Sequence, residues 1–419
     1  MDLLAFFALC LFIASVPLEN TIQIEGVGTI ARLIGGMAAV LTLTQCWQRP
    51  IHALSGFHKA MLLFITLAGC SLVWTISSDA TEYRALLYAQ FFLMVWMVWQ
   101  QRTESRVLWL MRAYLIGCTL AACSTIINYL SGVSISNKTY DVRYAATGFD
   151  ANDIALTMAL GVPITVYLMA RGTRLSRYWY GAYSVLAVAA ILLTASRTGI
   201  LALAIALCSY LVLTMQSNKV RGLLITVIVA CGLVWLSQFA PAESVNRLLR
   251  IDQEITSGTM SNRTTIWRAG WQVFEDHYLL GIGAGTYPIA MGPAIGVEMV
   301  AHNTYLSVLT DMGLIGFAAF MGMVALCLRV VWRMPRMERR MWQIMMLALG
   351  AGSFALSWDI NKNLWLMLAL AMAHGSALAR RGGPEDDDPR GRYGADDPEN
   401  AGLQEPYDER SHADDFAAI

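Results

Sequence analysis

TYLSVLTDMGLIGFAAFMGMVALCLRVV, residues 304–331, decides what kind of protein this is. As an α-helix, a run of that length extends about 42 Å at 1.5 Å per residue, more than the roughly 30 Å hydrocarbon core of a bilayer. Its only charges are Asp311 and Arg329, near its two ends. Similar runs recur on both sides of it, separated by short polar connections, and predict transmembrane helices with cores at 3–16, 30–46, 61–76, 86–99, 107–130, 154–170, 180–194, 199–215, 223–239, 304–331, 341–358 and 364–379. The expected fold is all-α, a polytopic membrane protein of about twelve spans. The first run is short enough to resemble a signal peptide. It has no basic start and no A-x-A cleavage site, so it reads as a span.

Composition agrees. Of 419 residues, 56% are hydrophobic and 14% charged, against about 25% charged in a soluble domain, which excludes a soluble enzyme. The formal net charge of zero argues against a nucleic-acid partner, yet it conceals a division. Residues 382–419 hold three basic and twelve acidic residues, a charge of −9, and the remainder carries +9. The reading is a multi-pass membrane domain over 1–381 followed by an acidic, disordered cytoplasmic tail over 382–419. The eight cysteines lie in apolar runs without a C-x-x-C pair. They read as small buried side chains, not as disulfides or metal ligands, and no metal or cofactor is expected.

With the N-terminus inside, the cytoplasmic connections hold fourteen Lys and Arg and the short outer ones five, so the bias favours both termini inside. Two connections exceed what topology requires, 131–153 and the extracytoplasmic loop 240–302 between spans nine and ten, and both fall outside. The second mixes Trp267, Trp271, Phe274 and Tyr287 with arginines, a composition suited to packed helices.

Transporters place ionisable groups within their spans, whereas here Arg112 and Asp311 are the main ones, close enough to span ends to snorkel or pair. The polar residues that call for explanation lie outside. Arg197, in Thr194-Ala195-Ser196-Arg197-Thr198-Gly199, sits on a hairpin turn between spans seven and eight. It reads either as an interfacial anchor or as an anion site, and anchoring basic residues belong mainly inside. Arg263 and Arg268 are five apart, off a single helical face, and serve either surface ion pairs or separate phosphate groups. His302 stands where the long loop re-enters the membrane, and a neutral imidazole there can accept a proton. His277 reads as a loop packing residue, and His52, His58 and His412 fall on the wrong side. Gly281-Ile282-Gly283-Ala284-Gly285 resembles a piece of a nucleotide loop. It lacks lysine and a strand–turn–helix frame, so it reads as backbone making a close approach.

Four segments together resemble the bacterial O-antigen ligase and polymerase family. They are Arg143-Tyr144-Ala145-Ala146-Thr147-Gly148-Phe149 through Asn152; Ser196-Arg197-Thr198-Gly199; Asn262-Arg263 through Trp267 and on to Gly285; and His302-Asn303-Thr304-Tyr305-Leu306 with Asp311-Met312-Gly313-Leu314-Ile315-Gly316. Their order and shared outer side make the set specific. One departure is Ala151, where the family often has proline.

The resemblance implies a glycosyltransferase of the bacterial inner membrane with its active site facing the periplasm. It would move a glycan from undecaprenyl diphosphate to an acceptor hydroxyl on lipid A-core. Arg197 and Arg263 would hold the donor diphosphate and His302 would assist the attacking hydroxyl, without a metal and with inversion. Arg268, Arg143, Asn152 and Asn303 are the expected substrate-binding residues. The alternatives are an O-antigen or exopolysaccharide polymerase of the same family, whose acceptor is a growing glycan, and, from another class, a lipid-linked sugar flippase. The expected partners are the lipid-linked donor, the acceptor and membrane lipids, with no nucleic acid.

Overall fold

The computed structural model describes residues 2–21, 23–24, 28–46, 51–135, 142–214 and 263–381. The expected ninth span, the loop residues 240–262 and the acidic tail lie outside the described residues. The chain divides into a unit over Met1–Ala379 and a second over Arg380–Ile419, and the fold described is that of the first.

Thirteen α-helices occur among the described residues. They are α1 (Asp2–Ser15), α2 (Ile30–Cys46), α3 (Gly56–Cys70), α4 (Ser78–Gln100), α5 (Glu104–Leu130), α6 (Ala151–Arg171), α7 (Arg174–Leu193) and α8 (Arg197–Thr214), then α9 (Arg263–Asp276), α10 (Tyr287–Ile295), α11 (Thr304–Trp332), α12 (Arg336–Ser353) and α13 (Lys362–Arg381). Every apolar run on described residues overlaps one of these helices, although the runs 61–76 and 341–358 extend past the ends of α3 and α12. The one departure from an all-α fold among them is an antiparallel ribbon, β1 (Gln23–Ile24) with β2 (Gly28–Thr29), between α1 and α2. Gly28, at φ +95°, takes a backbone conformation that other residues avoid.

Four helical stretches are long and apolar enough to cross a bilayer: Gly56–Val73, Glu104–Leu130, Ala151–Arg171 and Thr304–Trp332. Shorter apolar helices cover Asp2–Leu18, Ile30–Gln45 and Arg197–Val212. Large apolar side chains stand exposed at helical spacing along several of them, Leu3, Phe7 and Leu11 on α1 and Leu33, Met37 and Val40 on α2. Such stripes would be costly in water and are neutral against lipid.

The bundle is built around α6, almost wholly buried and packed by α5, α7, α8 and α12. Small residues set the spacing: a Cβ on Gly199 of α8 would lie 2.3 Å from the Ala155 Cβ of α6. Elsewhere α1 packs on α2 and α5, α3 on α4 and α11, and α9 on α10 and α11.

Helix α11 is broken at Gly313 (φ 62°, ψ −169°). The backbone groups released by the break are satisfied by 278–285: the amides of Leu314 and Ile315 donate to Tyr278 and Leu279, and those of Ile282 and Gly283 donate to Thr310 and Asp311. This is the close approach the glycine motif was expected to permit. A Cβ on Gly281 would sit 2.4 Å from the Asp311 carbonyl oxygen, and one on Gly313 would sit 2.3 Å from that of Leu279. The Asp311 carboxylate completes the staple, accepting from the amides of Gly285 (2.8 Å) and Tyr287 (2.7 Å). Arg84 lies 3.9 Å from it and bonds Asp359 at 2.7 Å.

Candidate active site

Three helix starts meet at one end of the bundle. At the first, Asp150 caps α6 by accepting from the Asn152 amide at 2.7 Å. At the second, Ser196 caps α8: its hydroxyl accepts from the Gly199 amide at 3.0 Å and donates to the Asn152 Oδ1 at 2.8 Å. At the third, Asn303 caps α11, accepting from the amides of Tyr305 and Leu306.

The first two caps are tied together by Arg143, which is buried. Its Nε donates to the Thr194 carbonyl at 3.0 Å and its Nη2 to the Asn152 Oδ1 at 2.9 Å. Arg143 and Asn152, expected on substrate, are thus joined to each other and to the turn that carries Arg197. Asn303 is likewise occupied in capping α11. The turn is as short as the sequence implied: α7 ends at Leu193 and α8 begins at Arg197.

Ala195 (φ 50°) and His302 (φ 46°) are the two non-glycine residues with positive φ among the described residues. A left-handed backbone costs an L-residue about 1–2 kcal/mol, so each is held by its surroundings. In the Ala195 turn the Thr194 Oγ1 accepts from the Ser196 amide at 3.2 Å. At His302, the indole of Trp267 donates to the Ala301 carbonyl at 2.8 Å on one side, and the Asn303 cap fixes the other. One of these strained residues is the expected base, and the other lies two residues before Arg197.

Helix α9 brings Arg263 to the same place. Its inner face is fixed by Tyr287, whose hydroxyl donates to the Ile266 carbonyl at 2.9 Å and lies where a side chain on Gly270 would be. Trp267 stacks edge-on against Phe354, with centroids 5.4 Å apart. Arg263 and Arg197 are half-buried, whereas Arg268 is exposed one turn further along α9. The structure does not bring Arg268 into the cluster.

Arg263 and Asp150 both lie close enough to His302 to act on its charge. Burial and the Arg263 guanidinium hold the half-buried His302 imidazole below the usual histidine range, and the Asp150 carboxylate partly offsets them. The imidazole is therefore neutral at pH 7 and able to accept a proton. Asp150 is the member of this cluster that the sequence reading passed over. Its signal was an acidic N-cap two residues before Asn152, a pattern shared by any capped helix. His277, expected to pack, is exposed instead. Among the described residues, no three His, Cys, Asp or Glu side chains are grouped so as to hold a metal ion.

Residues 182–321 match the family model described as O-antigen ligase. The matched stretch runs from within α7 past the Gly313 break and contains Arg197, Arg263 and His302, while Arg143 and Asn152 precede it. No curated protein matches the chain.

Proposed function

Since the chain carries the domain of the O-antigen ligase family of membrane enzymes, we propose that it transfers a glycan from undecaprenyl diphosphate to a hydroxyl of lipid A-core at the periplasmic face of the bacterial inner membrane. The chain crosses that membrane twelve times with both termini inside. The observation that carries this reading is the meeting of Asp150, Arg263 and His302, with the Arg197 turn bonded to the same helix end through Asn152.

The chemistry follows from charge. His302 takes the proton of the acceptor hydroxyl as its oxygen attacks the anomeric carbon, and the bond from that carbon to the diphosphate oxygen breaks from the opposite face, giving inversion. Negative charge grows on the leaving diphosphate during this step. Guanidinium groups already in place at Arg197 and Arg263 therefore stabilise the transition state more than the bound donor. Asp150 favours the imidazolium that forms, as a carboxylate beside a catalytic histidine does.

The test is transfer by purified protein supplied with polyprenyl-diphosphate-linked glycan and lipid A-core. His302→Ala should abolish product while donor binding persists; transfer at the normal rate would remove the base role. Arg197→Glu should abolish donor use, and product on a growing glycan instead of lipid A-core would identify a polymerase.

A further inference from the structure

Helix α9 ends on Glu275 and Asp276, His277 opens the turn after it, and Tyr278, Leu279 and Leu280 follow; all six are exposed. The chain thus passes from charged to apolar in one step, inside a stretch that hydropathy assigns to the long loop 240–302. The three apolar residues adjoin others. Leu314 and Ile315, whose amides donate to Tyr278 and Leu279, are exposed, and the Ile76 amide donates to the Ile282 carbonyl at 3.1 Å, which brings in the 3₁₀ turn Ser71–Val73 at the end of α3. Val73 is 88% exposed. Three segments far apart in sequence thus present apolar side chains at one place, which marks a contact with a partner or a membrane.

Two helices give the depth of that place. Leu314 is 15 residues from Arg329 along the regular part of α11, about 22 Å at 1.5 Å per residue. Val73 is 14 residues from Lys59 along α3 and the 3₁₀ turn, again about 22 Å. Lys59 and Arg329 are exposed near the ends of two candidate spans, Gly56–Val73 and Thr304–Trp332, and cations so placed mark the edge of the hydrocarbon. Across a core of about 30 Å, Leu314 and Val73 therefore stop about 8 Å short of the opposite edge, the one nearer His302. Snorkelling by the two cations narrows that margin without closing it, and helix tilt widens it.

Irregular backbone survives at that depth only where its polar groups are paired inside the protein. In 278–283 the carbonyls of Tyr278 and Leu279 accept from α11, and the amides of Gly281, Ile282 and Gly283 donate to the carbonyls of His277, Thr310 and Asp311. The patch continues the exposed surface of the same two spans, which carries Leu63 on α3 and Met321 on α11, so the medium at its level is hydrocarbon. We propose that residues 278–280 form a re-entrant contact with the bilayer, their side chains among the acyl chains of the leaflet nearer His302 and the charged end of α9 in its headgroup layer. The assignment rests on the spans and stands whatever reaction the cluster performs.

The test reads depth and needs no turnover. Full-length protein carrying a genetically encoded fluorescent amino acid in place of Leu279 is reconstituted into phosphatidylcholine vesicles whose chains are brominated either near the glycerol or near the chain ends, and iodide is added on both sides of the membrane. The same probe in place of Met321, about 12 Å from Arg329 on α11, reports mid-membrane, and in place of Glu275 it reports the aqueous side. At 279 the emission should fall by about half in brominated lipid, more with bromine near the glycerol than near the chain ends, and iodide should leave it unchanged. At 321 the order of the two lipids should reverse, and at 275 iodide alone should quench. Position 280 repeats the reading, so that one poorly folded variant does not decide it. Quenching at 279 and 280 by iodide and not by lipid would place the segment in water and overturn the proposal. Shielding from both quenchers would show that protein covers it, for example residues 215–262, and would overturn it equally.

Discussion

Replacing Asn152 by alanine should destabilise the protein by about 2–4.5 kcal/mol, and the figure follows from two bonds. The Asn152 Oδ1 accepts from the Arg143 guanidinium at 2.9 Å and from the Ser196 hydroxyl at 2.8 Å. A hydrogen bond to a charged group is worth about 1.5–3 kcal/mol and a neutral one about 0.5–1.5. Asn152→Asp keeps an oxygen of the same shape in place for both donors and adds a charge opposite Arg143, so it should retain most of the stability. Unfolding by SDS titration from detergent micelles, followed by tryptophan fluorescence, measures both. The same bonds position the turn before Arg197, so Asn152→Ala should also lower kcat more than it changes donor KM. A loss below about 1 kcal/mol for Asn152→Ala, or equal losses for the two variants, would refute the clasp. A rise in donor KM with stability intact would return Asn152 to the substrate.

Other expectations follow from the same geometry. Gly281→Ala forces a positive φ on alanine and places its Cβ against the Asp311 carbonyl; strain and overpacking together should cost about 2–5 kcal/mol in the same assay, whereas Gly36→Ala should cost almost nothing. Because the His302 pKa is depressed and the base must be neutral, transfer should be on its plateau at pH 7 and fall on acidification through a value below the usual histidine range. Asp150→Asn removes the group that raises that pKa and should move the acid limb of the kcat/KM profile to still lower pH; a shift the other way would remove Asp150 from the site. Arg84→Met leaves the buried carboxylates of Asp311 and Asp359 without their cation and should cost about 3–5 kcal/mol, partly recovered by adding Asp359→Asn.

Much of the helical framework was legible because helix formation in lipid is a local requirement. A backbone that cannot bond to solvent must bond to itself within the segment, so apolar length alone locates α2 or α11 to within a residue or two. His302, Arg197 and Arg263 stood out as candidates for a related reason: charges at the ends of such segments are few, and the family resemblance picks these out in order. The Thr194–Ser196 turn was legible from its brevity, and the GIGAG glycines signalled a close approach without naming the partner.

The meeting of those residues was another matter. Asp150 and His302 are separated by five of the described helices in the chain, and the start of α6 comes to the start of α11 only through the packing of segments distant in sequence. Arg143 and Asn152 looked like ligands for substrate because a polar side chain in an outer loop has no partner visible in sequence; packing supplies one in Thr194 and Ser196. The strain at Ala195 and His302 is likewise invisible along the chain, since it depends on what surrounds a residue and not on what it is. The sequence by itself determined a membrane-spanning helical chain with its candidate site residues at helix ends, because hydropathy and charge act segment by segment. Only the tertiary structure decided which of those ends converge and which polar groups hold one another, because those are properties of contacts between segments distant in the chain.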